Sequence, residues 1–363
     1  MSVLLANKLK RIALNKIEAW YGSIRYDLEA TLNSMAKRPF ELHLELTNIC
    51  NANCIFCPYQ YLKAPKEVMT DPVFYKAVTE FGEIAGGSVG LTPRVGDALI
   101  DPNFLRRVRY LREQPFIDRI FLTTNGILLD KVGIREILMS GLSTINISTS
   151  GFDKESYERI YRTKQYDKMK NNVYELLEHN EALGRPVNIC LGLRVDRPAS
   201  EVVKDADFQP IFKFNPDIDI TLAFSSGGNK IKRKDLSGNM KLRSPRLPKE
   251  TCANLYNGAV IFPSGKVGGC ACLTAIDSED LVIGDILSDK LIDIWVGKKM
   301  KEIREQFEKP EKLNPTCLAC DVGQPLDIYR KKEGRIRAEL NEQRSQGTVV
   351  KRTDRSRGIF AGG

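Results

Sequence analysis

From residue 40 onward, short apolar runs alternate with stretches in which apolar residues recur every third or fourth position. That is the pattern of parallel strands joined by crossover helices. Strands are predicted at residues 41–47, 88–95, 117–123, 143–149, 187–195 and 217–224, with helices at 71–81, 102–112, 131–139, 154–161, 168–182 and 205–213. The fold class is therefore α/β, and six such strands make a partial barrel. Strands covered by helices on both faces are apolar throughout, but several of these alternate. Leu42, Leu44 and Leu46 share one face and leave His43 and Glu45 on the other, because successive side chains in a strand point to opposite sides. The same rule turns Thr92 and Arg94, Asn146 and Ser148, Asn188, Cys190, Gly192 and Arg194, and Asp217, Asp219 and Thr221 inward. A polar lumen follows, suited to a hydrogen-bonding ligand.

Beyond the strands the chain divides further. Residues 225–250, rich in Gly, Ser, Pro, Lys and Arg, read as a basic linker between a core at 37–224 and a cysteine-bearing domain at 251–325. A length of 363 residues suits two domains. Residues 1–36 read as an amphipathic helical segment, since Lys8, Lys10, Arg11 and Lys16 alternate with Leu5, Leu9, Ile12, Ile17 and Trp20. Acidic residues begin at Glu18 and no continuous apolar core precedes it, so docking on the body is expected rather than a transit peptide. No run of 18 apolar residues occurs, so no membrane-spanning helix is expected. The net charge is +9, and residues 330–357, with ten Lys or Arg against four Asp or Glu, supply +6 of it. The basic tail at 326–363 lacks interleaved aromatics, which favours a solvated segment over a nucleic-acid arm.

Nine cysteines are too few for a disulfide scaffold at this length, and their metal-type grouping points to a reducing, cytoplasmic setting. Cys50, Cys54 and Cys57 fall within eight residues, where the first strand ends. A four-iron cluster has four corners, so three thiolates leave one iron open for a substrate or cofactor. A structural zinc site, the alternative, normally closes with four paired ligands. The Cys-x3-Cys-x2-Cys spacing with Phe56 before the third cysteine closely resembles the radical S-adenosylmethionine (SAM) superfamily. That resemblance implies a [4Fe-4S] cluster whose open iron chelates the amino acid end of SAM, and a partial (β/α)6 barrel with the cluster loop after its first strand. Further positions follow from the resemblance alone. Gly96 and Asp97 stand where most members carry Gly-Gly-Glu-Pro, with only the glycine and the acid kept. Asn125, in Thr-Thr-Asn-Gly, is either a cofactor contact or simply an Asn-Gly turn. Ser148 matches a serine near the SAM ribose or carboxylate, and Arg162 a carboxylate-binding arginine. Phe56 is expected beside the cofactor. Arg194 and Glu45 are lumen-facing charges, so each must be paired or used in catalysis; Arg194 either meets a ligand or pairs with Glu45 or Asp219. His43 and His179 are the only histidines, which argues against histidine acid-base chemistry.

The second cysteine set is Cys252, Cys270, Cys272, Cys317 and Cys320. Four thiols close a second cluster, with zinc as the alternative. The Cys252-x17-Cys270 spacing, a Gly-rich turn, a strand at 281–286, a helix at 291–295 and Cys317-x2-Cys320 resemble the SPASM domain in its abbreviated twitch form. The likeness is strongest to the aminocyclitol (2-deoxy-scyllo-inosamine) dehydrogenases. It implies one auxiliary [4Fe-4S] cluster on Cys252, Cys270, Cys317 and Cys320; the additional Cys272 leaves open which of Cys270 and Cys272 is a ligand. The expected activity is reductive cleavage of SAM to a 5′-deoxyadenosyl radical and hydrogen abstraction from a small polar substrate. A sugar or aminocyclitol alcohol would be oxidised with the auxiliary cluster as electron acceptor, and an external one-electron donor such as flavodoxin or ferredoxin is implied. The alternatives are maturation of a peptide by crosslinking or epimerisation, and RNA binding or modification, with nucleic acid the least favoured partner.

Overall fold

The structure, a computed structural model, describes residues 28–244 and 251–324. The expected amphipathic stretch between Leu5 and Trp20, the end of the linker and the basic tail lie outside the described residues. The strands are β1 (Glu41–Leu44), β2 (Gly87–Gly90), β3 (Ile117–Thr124), β4 (Thr144–Thr149), β5 (Asn188–Arg194), β6 (Asp217–Thr221), β7 (Ala223–Phe224), β8 (Lys241–Leu242), β9 (Gly258–Ile261), β10 (Lys266–Gly268) and β11 (Val282–Asp285). β1 to β6 pair in parallel in chain order, as expected of crossover connections. The sheet does not close. On the far side of β1 it continues through β9, parallel, and then β10 and β11, antiparallel.

Burial follows the predicted alternation. In β4 Ile145, Ile147 and Thr149 are buried, whereas Thr144, Asn146 and Ser148 are half-buried on the opposite face. The outer face carries the core: Leu42, Leu44, Val89, Ile145, Ile147, Leu191 and Leu193 are wholly inaccessible, and each such aliphatic side chain stabilises the fold by roughly 1.5–3 kcal/mol. The helices that cover it follow local rules. Asp71–Glu83 begins at Thr70 with proline in its first turn and buries Val73, Phe74, Ala77, Val78 and Phe81, one helical stripe. Lys154–Tyr161 is capped by the Asp153 carboxylate, which accepts from Ser156 N at 2.8 Å, and ends where Arg162 turns left-handed with φ 49°.

Several predicted boundaries shift for identifiable reasons. The second strand stops at Gly90 rather than residue 95 because Pro93 has no N–H for a ladder. The first ends at Leu44; Glu45 N still donates to Ile261 O of β9 at 3.0 Å, and Thr47 bridges Val68 instead of extending the ladder. The sixth breaks at Leu222, and the short β7 turns to pair with β8. One helix expected at 131–139 is two, Leu129–Val132 and Ile134–Leu138, parted by Gly133 at φ 101°. The helix expected at 205–213 is a 3-10 segment, Gln209–Phe214, with proline in its first turn. Residues 225–244, read as linker, contribute Ile231, Leu236 and Met240 to the core.

Candidate active site and cysteine clusters

The loop that leaves β1 carries Cys50, Cys54 and Cys57, and its backbone is fastened on three sides. Asn48 N and Met69 N tie it to residues 67–69, Asp97 N donates to Ile49 O at 2.9 Å, and Asn53 N and Ile55 N donate to Tyr161 O and Ile160 O. Cys50 N donates to the Tyr59 hydroxyl at 3.1 Å. Burial pushes the Cys50 thiol up to about 12 and Cys57 to about 11, and lifts Cys54 well above the ordinary range with help from its two neighbours. Metal coordination deprotonates a thiol and so acts against this shift. Asn51 Nδ2, in the same loop, is buried without an acceptor. Among the described residues no three Cys, His, Asp or Glu side chains gather closely enough for a single ion.

The neighbouring positions expected to meet a cofactor do converge here. Gly96, at φ 87°, packs so tightly that a Cβ would stand 2.2 Å from Thr47 O. The buried Asp97 carboxylate accepts from Leu99 N (3.1 Å), Thr124 Oγ1 (2.8 Å) and Asn125 N (2.9 Å). It thereby joins the segment after β2 to the end of β3, and its own N–H ties that segment to the cluster loop at Ile49 O; burial holds the carboxyl above the usual carboxylate range. Asn125 Nδ2 reaches Asn51 Oδ1 at 2.6 Å and Cys50 Sγ at 3.8 Å. Ser148 Oγ lies 3.1 Å from the Tyr161 hydroxyl. Phe56 meets the Tyr161 ring edge-on and stacks on Phe224, centroids 5.1 Å apart. Arg162 is exposed beside the loop and donates to Gln60 Oε1 at 2.9 Å. Arg194 is buried on β5, donates to Thr221 Oγ1 at 3.0 Å and lies 3.6 Å from Asp219 Oδ2. It does not meet Glu45, which pairs elsewhere. Tyr161 joins the cluster loop, Ser148 and Phe56, yet sequence reasoning passed over it; its place at the end of a helix just before Arg162 was the available signal.

All five C-terminal cysteines line one cavity of about 400 Å³, part of it open solvent, together with Asn254, Leu255, Thr274 and Phe307. Thr274 Oγ1 is buried there with no partner. Burial raises Cys252 to about 11 and Cys317 to about 12. The Cys270 thiol, ahead of burial, drives Cys272 well above the ordinary range, and Cys272 does the same to Cys320. Gln324 N donates to Cys252 Sγ at 3.4 Å. A cavity walled by thiols with an unsatisfied hydroxyl suits a cluster, whose sulfurs accept hydrogen bonds.

Comparison with known proteins matches residues 44–195 to the radical SAM superfamily and residues 252–321 to the SPASM iron-sulfur cluster-binding domain. The chain carries a radical SAM domain and a SPASM domain. Four-iron clusters and SAM are the cofactors these families imply, and both thiol sets fit them. Among curated proteins, the GTP 3′,8-cyclase of Clostridium perfringens (strain SM101) is 31% identical over 144 residues, 38% of this chain and 43% of the relative. Moc-5, a molybdenum cofactor biosynthesis protein of Caenorhabditis elegans, is 26% identical over 201 residues, 54% of this chain and 32% of the relative. The matches thus span less than half of these relatives. Among solved structures, BtrN in complex with AdoMet and 2-DOIA superposes with a TM-score of 0.53 at 16% identity, covering 78% of this chain and 94% of BtrN. SuiB of Streptococcus suis, bound to its precursor peptide SuiA, gives 0.58 at 14% identity, covering 83% and 75%. At such identities the likeness shows the fold alone.

Contacts between the radical SAM and SPASM domains involve residues close in sequence to both thiol sets. Arg94 holds both Glu45 oxygens at 3.3 Å, donates to Ala275 O at 3.0 Å and lies over the Phe262 ring at 3.8 Å. Asp277, three residues after Thr274, accepts from Lys63 N and Ala64 N just beyond the first cluster loop. Ser225 Oγ and Ser226 N donate to the Asp321 carboxylate, next to Cys320, while Phe224 stacks on Phe56, next to Cys57. No helix among the described residues is long and apolar enough to cross a membrane.

Proposed function

We propose that the chain oxidises an alcohol of the sugar or aminocyclitol type held in the lumen, with the SPASM-domain cluster as electron acceptor. The observation that carries this reading is the inner face of β4 to β6. Asn146, Ser148, Asp219 and Thr221 are half-buried and polar there, one end of the face meets the Cys50 to Cys57 loop through Tyr161, and Asn146 Oδ1 is buried without a donor. A polyol satisfies such acceptors and donors; an apolar substrate leaves them orphaned.

With cluster and SAM bound, one-electron reduction of SAM supplies methionine and a 5′-deoxyadenosyl radical that removes a hydrogen atom from a C–H bond. The residues of the chain then have separable tasks. Cys50, Cys54 and Cys57 hold the first cluster, and Asp97 and Gly96 fix the loop against which SAM binds. Asn125, Ser148, Arg162 and Phe56 border that position. Arg194 binds a substrate oxygen, and Asp219, beside it and partly exposed, accepts the proton that leaves when the carbonyl forms. Cys252, Cys270, Cys317 and Cys320 would hold the auxiliary group, which would supply an acceptor for the substrate's second electron. Glu45 supports the wall through Arg94 rather than touching substrate. An external flavodoxin or ferredoxin supplies the initiating electron. The first experiment is anaerobic reconstitution, iron counting and a dithionite-driven assay for 5′-deoxyadenosine. Candidate polyols deuterated at carbon follow. Deuterium in 5′-deoxyadenosine with a ketone product supports the reading; transfer only from peptides, or from nucleotides, overturns it.

A further inference from the structure

We propose that Cys272 is a thiol that tunes the auxiliary cluster and not one of its ligands. The proposal rests on the reading of the SPASM cysteines as a cluster site. Five thiols line that cavity, and a cube of four irons has four corners for them. Cysteine sulfurs on separate irons of one cube point outward and stand well apart. Cys272 Sγ and Cys320 Sγ are instead 3.7 Å apart, in direct contact and at hydrogen-bonding distance for sulfur. The two do not occupy separate corners in this arrangement, so one is a neighbour of the cluster.

The surroundings pick out Cys272. Its sulfur caps the turn Leu273–Ala275 by accepting Thr274 N at 3.2 Å, so the side chain has a structural anchor independent of any metal. Cys320 closes the Cys317-x2-Cys320 pair, whose first member is placed on the cavity by Asn314, the cap of helix Pro315–Leu318. A Cys320 thiolate bound to iron carries no proton, so in this pair Cys272 S–H is the one that donates. A donor on a ligand sulfur stabilises the more negative, reduced cluster and raises its potential. That is the direction an electron acceptor needs.

The test compares Cys272→Ala, Cys272→Ser and Cys320→Ala in the reconstituted full-length protein. Two four-iron clusters give about eight irons per chain, and both Cys272 variants are expected to keep that count while Cys320→Ala loses about half of it. In Cys272→Ala the midpoint of the auxiliary cluster, followed by electron paramagnetic resonance, moves negative by about tenfold in the reduction equilibrium, ~59 mV for one electron. Cys272→Ser retains a donor and falls between. Loss of half the iron from both Cys272 variants makes Cys272 a ligand and overturns the proposal, as does an unmoved midpoint at full iron content. About four irons in the unsubstituted protein removes the auxiliary cluster itself, a separate failure visible before any variant is made.

Discussion

Arg94→Met should destabilise the protein by about 4 kcal/mol, most of it recovered when Glu45→Gln is added. Glu45 is a carboxylate with 1% of its side chain exposed, and its cation is 9% exposed. Methionine keeps an apolar stem against Phe262 but leaves Glu45 buried without a cation, while Ala275 O keeps its bond from Ser278 N at 3.1 Å. Breaking one side of a buried pair costs about 3–5 kcal/mol. Burial already holds the Glu45 carboxyl above its ordinary range, with Arg94 pulling it back; removing Arg94 drives it higher. A carboxyl whose folded pKa is raised binds its proton more tightly folded than unfolded. Its stabilising effect is full below the unfolded pKa and lost as pH rises through the folded one. The single variant therefore regains stability on acidification from neutral pH, and the Glu45→Gln/Arg94→Met double does not. Urea midpoints by circular dichroism, at pH 8 and pH 6 and equal iron content, measure both effects. A loss in Arg94→Met below ~1 kcal/mol, or a double variant whose loss is the sum of the singles, refutes the clamp.

Gly96→Ala places a Cβ 2.2 Å from Thr47 O at φ 87°, so the cluster loop must move; iron bound by the first site should fall while the auxiliary iron stays. Asp321→Asn weakens the charge-assisted bonds from Ser225 and Ser226, a loss of about 1.5–3 kcal/mol, and limited proteolysis within residues 225–244 should quicken; unchanged cleavage counts against the tether. Burial opposes ionisation of Asp196, yet Ser237 and Arg159 outweigh it and hold the carboxyl below the ordinary range. Such a group stabilises above the unfolded pKa of ~3.9 and loses that effect as pH falls through the folded value. Asp196→Asn should therefore lower stability at pH 7 and flatten its fall on the acid side, read from thermal midpoints across pH 3–7.

What could be read from the chain was whatever depends on local order. Alternation in residues 143–149 predicted a half-buried polar face because strand period is a property of adjacent residues, and β4 shows it position by position. The three-cysteine loop was legible for the same reason, since its spacing lies within eight residues. Expectations failed where pairing is decided at long range. Nothing local marks β9 as the parallel neighbour of β1, although Gly258 sits so close to Glu41 that a Cβ would meet its carbonyl at 2.4 Å. Asn257 bonds Glu41 across 216 residues. The lumen charges show the same limit from the other side. Glu45, Arg94, Arg194 and Asp219 were all read as inward-facing, but strand order alone decides who pairs with whom, and it joins Glu45 to Arg94 and Arg194 to Asp219. The segment at 225–244 looked like linker because its apolar residues follow no period; Ile231 and Met240 are nevertheless fully buried, since a surface already folded needs only scattered apolar anchors. The consequence for function is specific. The number of thiols in the chain bounds how many clusters it can hold, but the partition between ligand and neighbour is a fact of contact, set in the auxiliary site by two cysteines 48 residues apart.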